Sequence, residues 1–120
     1  MDFPDAVNQH LAALGKRHLD SYLSTVHPQV SLIMPDGRLL TGRDEVAAVH
    51  RDWFGDPDWS WELDLRHTMT TGDTGLAIFA VDYHDLDGEG RPYELNYLLT
   101  LVFVRDGDRW LLLHDQNTLR

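Results

Sequence analysis

Cysteine is absent from this 120-residue sequence, so it has neither a disulfide framework nor a thiolate site. Long apolar runs are also absent, because nowhere do about 18 apolar residues follow one another, as a membrane-spanning helix requires. The opening segment MDFPDAVNQHLAALGKR lacks the basic and apolar regions of a secretory signal. We therefore expect a cytoplasmic protein that does not enter a membrane.

Basic residues are few. The sequence has 10 lysines and arginines against 20 aspartates and glutamates, which gives a formal net charge of -10. Phosphate backbones and anionic lipid surfaces repel a chain with this balance. The composition therefore argues against nucleic acid and membranes as partners.

The motifs of common cofactor and metal enzymes are also missing. The glycines fall in turns such as D-G-E-G and R-D-G-D, not before a helix where a phosphate-binding loop would need them. No G-x-S-x-G elbow occurs. The pairs Asp82/His84 and His114/Gln116 lack a spacing specific for metal. We expect neither a cofactor nor a bound metal.

The first half of the chain has helical periodicity. One apolar stripe predicts a helix that ends at Gly15, and it comprises Phe3, Val7, His10, Leu11 and Leu14. A second stripe predicts a short helix that ends before Pro28, and it comprises Leu19, Tyr22, Leu23 and Val26. VSLIM is typical of a strand. Thr41–Asp44 resembles a capping box that opens a third helix through about Phe54.

The second half is typical of strands. WELDLRHTMT, GLAIFAVDYHDL, YELNYLLTLVFV and RWLLLHDQNT are separated by TTGD, DGEG and RDGD, which are hairpin-type turn signals. Three helices followed by such a meander predict an α+β fold in which the helices cover one face of a curved sheet. We expect one domain over residues 1–120.

This order of elements resembles the nuclear transport factor 2-like superfamily. The passage P-D-G…G-R-D-E-V and the closing D-G-D-R-W-L-L-L-H-D-Q-N-T are similar to its SnoaL-like and ketosteroid-isomerase-like members. The resemblance implies a cone-shaped fold whose curved sheet encloses a mostly apolar pocket. Members include isomerases, polyketide cyclases, dehydratases, epoxide hydrolases and non-catalytic binding or assembly domains, so the fold alone does not choose an activity.

Strand pairing predicts which residues share a face. If Asp106–Arg109 forms a four-residue turn, Arg105 lies opposite Trp110 and Thr100 lies opposite Asp115. Alternation then places one set together: Asn96, Leu98, Thr100, Val102, Leu113, Asp115 and Asn117. The other face carries Trp110, Leu112, Leu99, Leu101 and Phe103. Since helices shield only one of two apolar faces, we expect a homodimer through this second face.

The resemblance places Asp115 and Asn117 in the pocket. In such proteins the pocket residues of the last strand are those at odd spacing from its leading apolar residue. If Asp87–Gly90 forms the preceding turn, Phe79 and Tyr83 also point inward. Further pocket-lining candidates come from the helical half: Tyr22, Met34, His50 and Trp53. Histidines on apolar stripes are more often packed core residues than catalysts.

The resemblance allows two known chemistries to be compared. Positions that carry a tyrosine, a base and a protonated Asp in the steroid isomerases match His10, Met34 and Thr100. Methionine cannot abstract a proton, so this mechanism is not retained. The epoxide hydrolases place an Asp at the position of Asp115, but their Arg and second Asp fall on Leu98 and Thr100.

The remaining constellation is Asp115 with His10 and Thr100 as donors to a developing oxyanion. An Asp in a mostly apolar pocket is expected to have a raised pKa, which suits acid-base work near neutrality. The alternative is a buried acceptor satisfied by Thr100 and Asn117. We expect a small-molecule-binding, cofactor-independent isomerase, cyclase or dehydratase that acts on an apolar carbonyl or polyketide-like compound. A non-catalytic binding or assembly domain and an epoxide-hydrolase-like enzyme are the alternatives.

Overall fold

The computed structural model describes all 120 residues, which form three helices and six strands. In chain order these are α1 (Phe3–Gly15), α2 (Leu19–Leu23), β1 (Val26–Ile33), β2 (Leu39–Thr41), α3 (Arg43–Phe54), β3 (Ser60–Thr71), β4 (Thr74–Leu86), β5 (Pro92–Asp106) and β6 (Arg109–Leu119). One sheet has the order β2-β1-β6-β5-β4-β3, and only β1 and β6 are parallel neighbours. The predicted α+β class, with three helices on a mainly antiparallel sheet, is confirmed.

Helix α1 is fixed at its start by a cap and by close packing. The Asp2 carboxylate accepts a hydrogen bond of 2.9 Å from the Asp5 backbone N–H, which satisfies one free donor of the first turn. Phe3 lies directly over the Gly75 backbone of β4, where a Cβ atom would overlap the aromatic ring. Glycine at this position therefore lets the helix approach the sheet.

The segment between α1 and α3 differs from the prediction. The second helix ends at Leu23 instead of reaching Val26, because Val26 already belongs to β1 and pairs with Leu112 of β6. Strand β1 therefore contains Pro28 and begins well before VSLIM. Strand pairing across the sheet overrides the local helical pattern here.

Helix α3 begins at Arg43, after Gly42 with a φ of 84°. The capping box forms only in part. The Thr41 side chain makes no cap, whereas the Thr41 backbone N–H donates to the Glu45 carboxylate at 3.2 Å. The predicted end of this helix at Phe54 agrees with the structure.

The β4–β5 connection is one residue longer than predicted. It comprises residues 87–91, so Leu86 lies opposite Pro92 instead of Arg91. The Asp87 carboxylate accepts hydrogen bonds from the backbone N–H groups of Glu89 and Arg91, each at 2.9 Å, and so stabilises the wider loop. This one-residue change reverses which residues of β5 share a face with Tyr83.

A β-bulge in β6 makes a second one-residue change. Phe103 pairs with Leu112 as predicted, but Val102 pairs with His114, so Leu113 is left without a partner. Thr100 therefore lies opposite Gln116 instead of Asp115. Side chains alternate along a strand, so even-numbered residues of β6 face inward before the bulge and odd-numbered residues face inward after it.

These two changes correct the predicted faces of the sheet. The residues assigned to the outer face lie in the hydrophobic core beneath the helices: Trp110, Leu112, Leu99, Leu101 and Phe103. Residues assigned to the pocket lie on the opposite face or in the bulge: Asn96, Leu98, Thr100, Val102 and Leu113. Asp115 and Asn117 nevertheless face inward, because the bulge restores their predicted orientation.

The three helices pack on the inner face of the sheet. Phe3 of α1 contacts Phe103 and Trp110, with ring centroids 5.6 and 5.3 Å away. On the outer face of β4, β5 and β6 only Ala80 and Leu111 are buried, and the other side chains are half-buried or exposed. None of the three helices has the length and the apolar character of a membrane-spanning segment.

Candidate functional site

A cavity of about 350 Å³ lies between the inner face of the sheet and helices α1 and α3. Sixteen residues line it, and 11 of these are hydrophobic. Its exposed end includes Asp36 and Tyr93, whereas Asp115 at the other end is only 6% exposed. A concave site of this size and lining suits a small, largely apolar molecule.

Asp115 is the buried carboxyl group of the cavity. The bulge before it turns the side chain inward, beside Leu32 of β1, which is its partner in the parallel pair. Burial raises the pKa of Asp115 from 3.8 to about 7, against the opposing effect of a hydrogen bond from Asn117. Near neutral pH the group therefore exists in both protonation states, so it can give or take a proton.

Asn117 orients this carboxyl. Its Nδ2 donates to Asp115 Oδ1 at 3.0 Å and to the Ile33 carbonyl oxygen of β1 at 2.8 Å. This is the only hydrogen bond to the Asp115 side chain, so Oδ2 has no donor within the protein. The carboxyl is held on one side and open for a ligand on the other.

Two tyrosine hydroxyls are close enough to Asp115 for its charge to affect their pKa. Burial raises the pKa of Tyr97 and Tyr22, and the negative charge of Asp115 raises both further. Neither hydroxyl makes a hydrogen bond in the protein, but only Tyr97 lines the cavity. Tyr97 is therefore a donor that a ligand oxygen near Asp115 can use.

His50 of α3 also lines the cavity. Its Nδ1 lies 2.8 Å from the Val46 carbonyl oxygen, which can only accept, so Nδ1 carries the proton and Nε2 is an acceptor. Burial lowers the pKa of His50 to about 4. The imidazole is therefore neutral at physiological pH and does not supply a positive charge.

His10 and Tyr22 lie behind the cavity wall instead of in it. Thr25 donates its hydroxyl proton to the Tyr22 carbonyl at 2.6 Å, so it accepts from His10 Nδ1 at 2.8 Å. Burial lowers the pKa of His10 to about 3, with a smaller contribution from His50. The expectation that His10 donates to a ligand is wrong, because its one N–H is committed to Thr25. The Tyr22 ring stacks on His50 at 4.2 Å.

Aromatic rings form the wall at the exposed end of the cavity. Trp53 Nε1 donates to the Tyr83 hydroxyl at 3.0 Å, and that hydroxyl donates to Asp85 Oδ2 at 2.7 Å. Tyr93 completes this wall from β5. The Trp53 ring stacks on Trp59 at 4.2 Å, which holds the wall in place.

The structure thus brings part of the predicted site together. The predicted residues that line the cavity are Asp115, Asn117, Met34, His50, Trp53 and Tyr83. Phe79 faces inward but belongs to the packed core. Thr100, which was expected to donate to a developing oxyanion, lies with Leu98 on the opposite face of the sheet, so this expectation is wrong. No three His, Asp or Glu side chains are close enough to hold a metal ion.

Sequence reasoning missed Tyr97, Tyr93 and Trp61, which all line the cavity. A signal for Tyr97 was present in β5. The set Tyr97, Leu99, Leu101 and Phe103 is more apolar than the alternate set Leu98, Thr100, Val102 and Val104. Assigning the more apolar set to the core would have placed Tyr97 inside.

Comparison with protein families identifies the family of this chain. The family model of the SnoaL-like domain matches residues 4–117. The chain belongs to the SnoaL-like family. The predicted membership of the nuclear transport factor 2-like superfamily is confirmed. A search of curated proteins gave no match.

Solved structures share the fold of this SnoaL-like domain. A candidate dehydratase of the NTF2-like family from Streptomyces avermitilis is 23% identical, with a TM-score of 0.81 over 96% of this chain and 91% of that one. A ketosteroid isomerase-like protein from Erwinia carotovora atroseptica is 15% identical, with a TM-score of 0.81 over 97% and 92%. The CaMKII hub of S. rosetta is 24% identical, with a TM-score of 0.75 over 97% and 92%. At these identities the likeness concerns the fold alone.

Proposed function

We propose that this SnoaL-like domain binds a small apolar carbonyl compound and catalyses a cofactor-independent proton transfer on it. The overall reaction is an isomerisation, cyclisation or dehydration, and Asp115 is the acid-base group. The observation that carries the proposal is the Asp115 carboxyl, buried in a mostly apolar cavity with one oxygen free and a pKa of about 7. Catalytic acids and bases work best with a pKa near the working pH.

The geometry supports a sequence of two proton transfers. Ionised Asp115 takes a proton from the carbon next to the carbonyl, the C–H bond breaks, and its electron pair moves to the carbonyl oxygen as an enolate. The Tyr97 hydroxyl, which has no partner in the protein, donates to that oxygen. Protonated Asp115 then returns its proton, to another carbon in an isomerisation or to a leaving hydroxyl in a dehydration.

The first transfer can be measured without knowing the natural substrate. Enolisable ketones and polyketide-like diketones are incubated with the protein in deuterated water, and deuterium uptake at the carbon next to the carbonyl is followed by NMR. Asp115→Asn should slow the catalysed exchange by about 100-fold or more, because the base is removed. Asp64→Asn, the same change at an exposed position outside the cavity, is the matched control.

The same experiment separates catalysis from binding alone. If the ketones bind but exchange no faster than in buffer, the domain is a ligand-binding module and the catalytic proposal is wrong. Equal exchange by the wild type and Asp115→Asn would also contradict it. In a binding module, Asp115→Asn changes only affinity.

We also propose that the uncovered outer face of the sheet forms a homodimer. Half-buried apolar side chains of β4 and β5 lie side by side there, among them Ile78, Leu98 and Val102, with Thr100 between them. An apolar sheet surface without a helix over it is unusual in a monomer. The CaMKII hub of S. rosetta, whose name denotes an assembly domain, has the same fold.

Mass measurement in solution tests the dimer. The wild type should elute with the mass of two chains in size-exclusion chromatography with light scattering. Val102→Asp should give one chain, because an unpaired charge would be buried at the centre of the interface. Leu39→Asp, on β2 and 60% exposed, should leave the dimer intact. A monomeric wild type at micromolar concentration would contradict the proposal.

A further inference from the structure

The cavity is unbalanced in charge. Its ionisable lining residues are Asp36, Asp115, His50 and tyrosines, and no lysine or arginine is among them. Arg38 lies nearby, but its guanidinium is paired with exposed Asp36 at 2.9 Å. An anionic ligand group would therefore lose its hydration without gaining a cationic partner. A cationic group also loses its hydration, but no lysine or arginine lines the cavity to repel it.

The exposed end of the cavity offers aromatic surfaces that suit a cation. Trp53 lies 5.5 Å from Trp61 and 6.3 Å from Tyr83, and Tyr83 lies 6.4 Å from Tyr93, measured between ring centroids. All four rings line the cavity. The faces of tryptophan and tyrosine attract a cation placed within about 6 Å of the ring centre.

A carboxylate without a cationic partner lies behind this aromatic wall. Asp85 is 7% exposed and accepts hydrogen bonds from the Tyr83 and Tyr93 hydroxyls at 2.7 and 3.4 Å. No lysine, arginine or histidine forms an ion pair with it. Its negative charge therefore favours a cationic group bound against the Tyr83 and Tyr93 rings.

The protonation of Asp85 agrees with this geometry. Burial works to raise its pKa, but hydrogen bonds from the Tyr83 hydroxyl and the Leu86 backbone N–H outweigh burial and lower it. The side-chain hydrogen bond between Asp56 and Asp85 raises the pKa of Asp56, against a backbone hydrogen bond from Asp58, and lowers the pKa of Asp85, so Asp56 takes up a proton before Asp85 does. Asp85 is therefore ionised at neutral pH beside the Tyr83 and Tyr93 hydroxyls. The guanidinium of Arg17 lies 4.2 Å from the centre of the Trp59 ring but does not line the cavity.

Resting on the proposed carbonyl-binding role of the cavity, we propose that the ligand also carries an ammonium group. The rings of Trp53, Trp61, Tyr83 and Tyr93 hold this group at the exposed end, with Asp85 behind them, while the carbonyl part extends toward Asp115. The substrate class is then an apolar amino ketone. Purely anionic carbonyl compounds are excluded, since nothing in the cavity neutralises them.

Two ligands that differ only in charge test the proposal. One is an aryl alkyl ketone that carries a trimethylammonium group on a short chain, and the other carries a tert-butyl group of nearly the same shape. Binding is measured by calorimetry and by quenching of tryptophan fluorescence. The ammonium ketone should bind about tenfold more tightly, since a cation on desolvated aromatic faces gains an amount that corresponds to such a ratio.

Four variants identify what causes the preference. Tyr93→Leu, at a position that is 40% exposed and so tolerant of change, should reduce the preference several-fold, whereas Tyr93→Phe keeps the ring and should retain most of it. Asp85→Asn keeps an acceptor for Tyr83 but removes the charge, so it should also reduce the preference. Asp115→Asn should leave the preference largely unchanged, because that carboxyl is at the other end of the cavity.

The outcomes separate this inference from the proposed function. If the tert-butyl ketone binds as well as the ammonium ketone, or if Asp85→Asn and Tyr93→Leu leave the ratio unchanged, the ammonium subsite is wrong. Deuterium exchange on the same two ketones then decides the other question. Exchange of the tert-butyl ketone that depends on Asp115 would preserve the acid-base proposal, whereas failure of both ketones to bind would contradict both.

Discussion

The burial of Asp115 predicts an unusual dependence of stability on pH. Because burial raises the pKa of its carboxyl from 3.8 to about 7, the folded state holds the proton more tightly than the unfolded state. Below the unfolded pKa both states are protonated and the group has no effect. As the pH rises from the unfolded pKa toward 7, the carboxyl ionises in the unfolded state first, and the free energy of unfolding falls. Above pH 7 this loss of stability is complete and no longer changes with pH.

The size of the effect follows from the shift. A change of about 3 pKa units corresponds to about 4 kcal/mol of stability lost above pH 7. Between pH 5 and pH 8 the loss is about 3 kcal/mol. Asp115→Asn removes this contribution and keeps an acceptor oxygen for Asn117. When the pH is changed from 5 to 8, the free energy of unfolding of the variant should therefore rise by about 3 kcal/mol relative to that of the wild type.

Urea denaturation followed by circular dichroism at both pH values measures this difference, provided that the slopes with urea agree between the proteins. Asp64→Asn is the control, and its difference from the wild type should not change with pH by this amount. Parallel stability curves for the wild type and Asp115→Asn would refute the reasoning. They would mean that the carboxyl is an ordinary satisfied acceptor.

Three further predictions concern the packing around the site. Gly75→Ala should lower the free energy of unfolding by about 1–3 kcal/mol in urea denaturation, because its Cβ overlaps Phe3; an unchanged midpoint would contradict the close contact. Tyr22→Phe should leave stability unchanged or raise it by about 1 kcal/mol, since its buried hydroxyl has no partner; a clear loss in thermal denaturation would contradict this. Asn117→Ala should raise the pKa of Asp115 further, because it removes the hydrogen bond that lowers it; a fall in the NMR titration midpoint would contradict that role.

Local sequence patterns predicted the elements better than their register. The apolar stripe of α1 and the hairpin signals between β3, β4, β5 and β6 describe interactions over a few residues, and the structure agrees with them. The bulge at Leu113 and the five-residue connection 87–91 depend on how whole strands fit together. Each shifts the pairing by one residue, and such a shift moves every side chain to the other face.

Which residues face the cavity depends on that register. Asp115 lines the cavity because the bulge reverses the alternation just before it, whereas Thr100, on the neighbouring strand, faces the other way. His10 is on the predicted helical stripe, but its distance from the cavity depends on the packing of α1, which no local pattern specifies. Tyr97 lines the cavity in their place, and the charge of Asp115 acts on its hydroxyl.

The central claim is that Asp115 acts as an acid-base group, and the pH dependence of kcat/KM for deuterium exchange on a bound ketone tests it most directly. We predict that kcat/KM of the wild type rises with pH, with a midpoint near the pKa of about 7. In Asp115→Asn the exchange should be no faster than in buffer. A profile that is flat between pH 5 and 8, or one that is the same in the variant, would contradict the claim.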